Sequence, residues 1–160
     1  MTRTIATRPL IQNEFAIFGD VLEITGKPDN IINQGMCDRH HDLANMDFST
    51  GQAGISLFNS KARSLPFMLE MMERHPCGSQ AFIPMHQNPF LIIVAKDKEG
   101  KPGTPIAFLS GPGQAINFHR NIWHGVLCPL HAPGLFAAID RIGDGTNLEE
   151  HWFEKAWTII

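Results

Sequence analysis

The chain has 160 residues, 43% hydrophobic and 18% charged, with a formal net charge of −3. That length fits one domain, residues 1–160, with a real core, and the acidic balance excludes the basic surface that non-specific nucleic-acid binding needs. No apolar run approaches the roughly 20 residues of a membrane span, and no stretch of signal length opens the sequence. In chain order, 9–19 reads as a short N-terminal helix: Leu10, Ile11, Phe15 and Phe18 give the apolar spacing, and Gly19 suits the position after its end. A strand is expected over 21–24, then a Gly/Pro/Asn turn at 26–30. From there the chain is a series of short β-type runs, at 55–58, 67–73, 81–84, 90–95, 106–109, 115–118, 126–130 and 135–140. Their spacing favours a sandwich or barrel, and no crossover helices are present for a parallel sheet. The charged 96–105 segment reads as a solvated loop, and a short C-terminal helix is expected over 148–155.

Two segments about forty residues apart carry the chemistry. The first is Glu73-Arg74-His75-Pro76-Cys77-Gly78-Ser79-Gln80; the second is Phe118-His119-Arg120-Asn121-Ile122-Trp123-His124. Strand side chains alternate faces, so Glu73 and His75 point to one side. Histidines and a carboxylate gathered from separate strands make a metal site or an acid/base site. Three cysteines, Cys37, Cys77 and Cys128, form no CxxC pair and suit a reducing, cytoplasmic compartment. Cys77 reads as a small buried residue in a turn. The run Phe67, Met68, Leu69, Met71 and Met72 is apolar on both faces, as for a strand covered by a second sheet or a partner. Arg39-His40-His41-Asp42 is polar enough to invite a metal reading, but adjacent histidines cannot share a strand face, which leaves a loop or a dimer contact.

The two segments resemble the paired motifs of the cupin superfamily. Glu73-x-His75-Pro76-x-x-x-Gln80 has the spacing of the first motif, with Glu73 in place of its first histidine and Gln80 in place of its glutamate. His119-x-Asn121-Ile122-Trp123-His124 matches the second, with His119 in place of a proline and Asn121 in place of a glycine. At family level, Glu73-Arg74-His75-Pro76, Gln80-Ala81-Phe82-Ile83-Pro84-Met85, His119-Arg120-Asn121-x-Trp123-His124 and Ile139-Asp140-Arg141 resemble ureidoglycolate lyase. So do Phe15-x-x-Phe18-Gly19-Asp20-Val21 and Arg39-His40-His41-Asp42-Leu43.

That resemblance implies a mainly β fold, a cupin-type double-stranded β-helix barrel, and cleavage of (S)-ureidoglycolate to glyoxylate and urea in allantoin breakdown. A base takes the hydroxyl proton and an acid protonates the departing urea nitrogen; histidine suits both roles near neutral pH. His75 and His124 are the first catalytic candidates, with His119 either a wall residue or a second proton carrier. Gln80, Arg120, Asn121 and Arg141 are candidates for holding substrate, since a guanidinium grips a carboxylate bidentately. Arg120 faces away from His119 on a regular strand, and at most one of Asp140 and Arg141 faces the pocket. Asn121 suits a left-handed turn. A divalent metal, nickel by the resemblance, would take Glu73, His75, Gln80 and His124. The partners implied are a small-molecule substrate and a second copy in a homodimer, with no nucleic acid and no membrane. Two other classes stay open: a metal-dependent cupin enzyme acting on another small acid, and a non-catalytic small-acid-binding cupin.

Overall fold

The computed structural model describes residues 3–160. The fold is mainly β, two sheets facing each other as a nearly closed barrel. The larger sheet runs, in spatial order, Thr4–Ile5, Glu149–Ile159, Phe67–Arg74, Trp123–His124, Phe90–Ala95, Ile106–Leu109 and Thr7–Pro9, with Cys128–Pro129 also paired to Phe90–Ala95. The smaller runs Gly19–Leu22, Ala115–Phe118, Gln80–Pro84, Leu135–Ile142 and Gln52–Asn59. Two short ribbons stand apart, Asn30–Ile32 with Cys37–Arg39, and Asp97–Lys98 with Lys101–Pro102.

The core follows from alternation. Phe90, Ile92 and Val94 pack with Phe82, Ile116, Phe118 and Phe136 of the facing sheet. The intervening Leu91, Ile93 and Ala95 join Leu69, Trp123 and Ile159 in a second cluster. Phe90–Ala95 is therefore buried on both faces, which is why it reads as an unbroken apolar run. In Phe67–Arg74 the alternation holds only at the start, with Phe67 and Leu69 buried and Met68 and Glu70 exposed, and Met72 is buried further along.

Two expectations are corrected. The helix over 9–19 shrinks to Gln12–Phe15, because Pro9 closes a strand paired with Ile106–Leu109 and Gly19 opens another. Leu10, Phe15 and Phe18 do face the core, as their spacing indicates. Gly19 is needed for close approach: a Cβ there would stand 1.9 Å from the Asn117 carbonyl oxygen. At the other end, 148–155 is no helix; Glu149–Ile159 is the longest strand, lying along Phe67–Arg74 with a register shift between Trp152 and Trp157. Part of the 96–105 loop closes as a small exposed hairpin.

Candidate active site

Pairing of the strands assembles the site. His124 lies directly across from Glu73 in the antiparallel pair, so their side chains share a face. His75, two residues beyond Glu73, points the same way. One ligating atom from each of Glu73, His75 and His124 lies within 4.8 Å of the others, and His75 Nε2 is 3.9 Å from Glu73 Oε1. Glu73, Gln80 and His124 line a cavity of about 80 Å³ between the sheets, walled by Phe82, Phe118 and Ile116 among other apolar side chains.

The turn that delivers His124 is tied to the first segment. Asn121 adopts a left-handed φ of +65°, and its N–H donates to the His75 carbonyl at 2.9 Å. Trp123 is buried, its indole N–H donating to Asp97 while the Arg74 guanidinium lies 4.4 Å above its ring. Phe118 stacks on the His124 imidazole from the opposite sheet.

Hydrogen bonds choose the tautomers. His75 Nδ1 lies 2.7 Å from the Asn147 carbonyl oxygen, and His124 Nδ1 lies 2.9 Å from the Gly125 carbonyl oxygen. A carbonyl only accepts, so each Nδ1 carries a proton and, in the neutral ring, each Nε2 presents a bare lone pair. Both Nε2 atoms are buried without a hydrogen-bond partner. Burial, with His75 alongside, pushes His124 down to about 3, which keeps it neutral. Burial also raises the Glu73 carboxyl above its ordinary value, against the opposing pull of His75. Gln80 adds a buried Oε1 with no partner. Two imidazole nitrogens and a carboxylate that converge, with an amide oxygen lining the same cavity, are lone-pair donors that fit a divalent first-row cation, and hydrogen bonds hold the two histidines and Gln80 from behind.

The remaining candidates lie elsewhere. His119 points away from Phe118 and reaches Asp20, with Nε2 3.1 Å from the carboxylate. That carboxylate also accepts from Asn117 and from the Asn45 N–H. Burial alone would raise Asp20, but those hydrogen bonds and His119 hold it below the ordinary value. Arg120 is half exposed, donates to the Pro76 carbonyl and pairs with Asp47 at 3.6 Å. Arg141 leaves its strand opposite to Asp140; Cβ atoms added at Gly51, Gly78 or Gly143 would strike its side chain. Sequence reasoning passed over Asn147, whose side-chain oxygen accepts the Cys77 N–H at 2.7 Å while its carbonyl fixes His75. It also left Asp140 without a role, although Asp140 stands across from Gln80 and accepts its amide N–H.

Sequence comparison agrees with this geometry. The family model described as ureidoglycolate lyase matches residues 2–160. A ureidoglycolate lyase of Rhodobacter capsulatus is 55% identical over 144 residues, covering 89% of each chain. One from Rhizobium meliloti, ureidoglycolate lyase 2, is 51% identical over 95% of this chain and 94% of its own. A third, from Mesorhizobium japonicum, is 48% identical over 99% and 98%. With the motif residues on facing strands and the match running the length of the sequence, the chain belongs to the ureidoglycolate lyase family.

Proposed function

We infer that this chain is a ureidoglycolate lyase, releasing urea from (S)-ureidoglycolate to leave glyoxylate, a step of allantoin breakdown. The convergence of Glu73, His75 and His124 beside a small apolar-walled cavity is the observation that carries the reading. The reaction needs no covalent nucleophile. The hydroxyl proton is lost as the carbonyl forms, the C–N bond breaks, and the urea nitrogen gains a proton, so one carrier suffices for the whole transfer. Glu73 is suited to it, because burial lifts its carboxyl toward the working range. His124, with its proton affinity pushed far down, is a better holder of an electrophile than a base.

Glu73, His75 and His124, joined by Gln80 Oε1, are the residues that would hold a divalent cation, nickel by the sequence resemblance. Such a cation would polarise the substrate's oxygen atoms as a Lewis acid. Holding the cation would lower the proton affinity of Glu73, against the rise that burial gives it. For the substrate carboxylate, Arg120 and Arg141 are the sequence candidates; Asn121 is better supported as the turn residue that locks His75 to His124.

The fold reading is a single cupin-type double-stranded β-helix, supported by the two facing sheets and by the pairing of Thr4–Ile5 with Glu149–Ile159. A homodimer is supported by the outer face of the smaller sheet, where Ile55, Leu57, Ile83 and Met85 are exposed, and by the open edge of Gln52–Asn59. Three free cysteines suit a cytoplasmic setting. No helix among the described residues is long and apolar enough to cross a membrane.

The test is to follow glyoxylate and urea together from (S)-ureidoglycolate, before and after chelator treatment. Equal release of both products is expected, with loss on chelation and recovery with one divalent ion. Binding of glyoxylate without turnover, in folded protein, would instead make the chain a small-acid-binding cupin.

A further inference from the structure

We propose that Asp140 is a positioning residue that fixes the side-chain amide of Gln80 with its oxygen toward the reacting centre. The proposal rests on the lyase reading and deepens it. Asp140 and Gln80 are directly paired across adjacent antiparallel strands, which puts both side chains on the inner face of the smaller sheet. Gln80 Nε2 donates to Asp140 Oδ2 at 3.1 Å. An amide has one donating and one accepting end, and alone it has no reason to prefer either orientation. A carboxylate accepts only, so the NH₂ end must face Asp140 and Oε1 must face away.

That leaves Oε1 buried with no hydrogen-bond partner, on a residue that lines the same cavity as Glu73 and His124. A buried acceptor without a donor is costly unless something arrives to meet it. The other polar side chains of this apolar-walled cavity, Glu73 and His124, also present lone pairs, so what arrives is a cation or an N–H of the ureido group. Asp140 itself is absent from the group whose ligating atoms converge, so it acts through Gln80. The arrangement moves a negative charge one residue outward: a neutral oxygen faces the centre and a carboxylate stands behind it.

The proposal is tested by exchanging the polarity of the pair. In Asp140→Asn the new amide can donate as well as accept, so Gln80 is free to turn over. In Gln80→Glu two carboxylates face each other. In the double variant Gln80→Glu/Asp140→Asn, the glutamate accepts from the asparagine NH₂ and again directs an oxygen at the centre. Asp140→Asn is expected to lose about tenfold or more in both kcat/KM and Ni²⁺ affinity, and Gln80→Glu about tenfold or more in kcat/KM. The double variant is expected to return to within roughly threefold of the parent. Circular dichroism checks that each is folded. Should Asp140→Asn not fold, comparing Gln80→Glu with the double variant reads the same coupling.

An Asp140→Asn protein that matches the parent, or a double variant whose losses simply multiply, overturns the proposal. A parent that turns over ureidoglycolate without retaining an ion sets the metal aside, and the coupling is then expected in KM. A parent with coupled Ni²⁺ binding and no turnover overturns the reaction while sustaining the role of Asp140.

Discussion

The ring of Phe118 lies flat on the imidazole of His124, with centroids 4.3 Å apart and planes 3° from parallel. A residue of the smaller sheet thereby sets the orientation of a candidate ligand side chain on the larger one. Phe118→Leu keeps the site apolar but removes the platform. Activity is expected to fall by roughly tenfold, the scale seen when the support behind a ligand is lost. Unchanged kcat/KM would mean the Gly125 carbonyl orients the ring unaided.

The two histidines of the second segment should behave differently. His124→Ala is expected to lower kcat/KM by roughly a hundredfold or more with the fold intact. His119→Ala should instead loosen the Asp20 network, lowering the thermal midpoint and leaving kcat within a few-fold. Steady-state kinetics beside thermal melts on both variants will separate these roles.

Asn147→Ala removes the acceptor of the Cys77 N–H and frees the loop whose carbonyl holds His75. A cost of about 1 kcal/mol in stability is expected, together with weaker divalent-ion binding as His75 loses its fixed tautomer. Ion titration of the variant checks the second effect, which a purely structural asparagine would not produce.

Acid should destabilise the ion-free protein through His124. In the folded chain this imidazole takes a proton only near pH 3, against about 6.5 when unfolded. Between those values the unfolded chain binds more protons, so stability is present above about 6.5 and is lost as pH falls toward 3. One such group contributes at most about 1.4 kcal/mol per pH unit. Glu73, raised by burial, opposes this where it titrates. Urea melts from pH 7 to pH 4.5 are expected to show a smaller pH slope in His124→Gln than in the parent.

Leu57→Glu places a charge on the exposed apolar face of the smaller sheet, on the open edge strand itself. Light scattering after size exclusion is expected to give a dimer for the parent and a monomer for the variant. A monomeric parent would remove this face from consideration.

Most of the barrel was legible because its strands are short alternating or wholly apolar runs between turn residues; Phe90–Ala95, Ile106–Leu109 and Ala115–Phe118 fall where the pattern puts them. The final strand was not. Its register shift between Trp152 and Trp157 interrupts the period of two that marks a strand. At the site, period-two spacing was enough to put Glu73 with His75, and the motif brought His124 to them. The positions of His119 and Arg141 depend on which face each strand turns inward. Phe118 and Asp140 hold the inner face, so their sequence neighbours are turned out. Asn147 reaches His75 from a loop about seventy residues further on, a contact written only in the tertiary fold.

The hairpin Asp97–Lys98/Lys101–Pro102 closes on itself, with the Gly103 N–H returning to the Lys96 carbonyl at 2.8 Å. Extra residues between Glu99 and Gly100 would lengthen its tip at the expense of the Gly100 N–H that Asp97 accepts, and would leave the strand pairing of Trp123 and His124 with Phe90–Ala95 in place. An insertion in 119–122 would instead disrupt the turn whose Asn121 N–H ties the second segment to the His75 carbonyl. A peptide tag or fluorescent reporter belongs at the first position, where the scaffold can carry cargo and keep its chemistry.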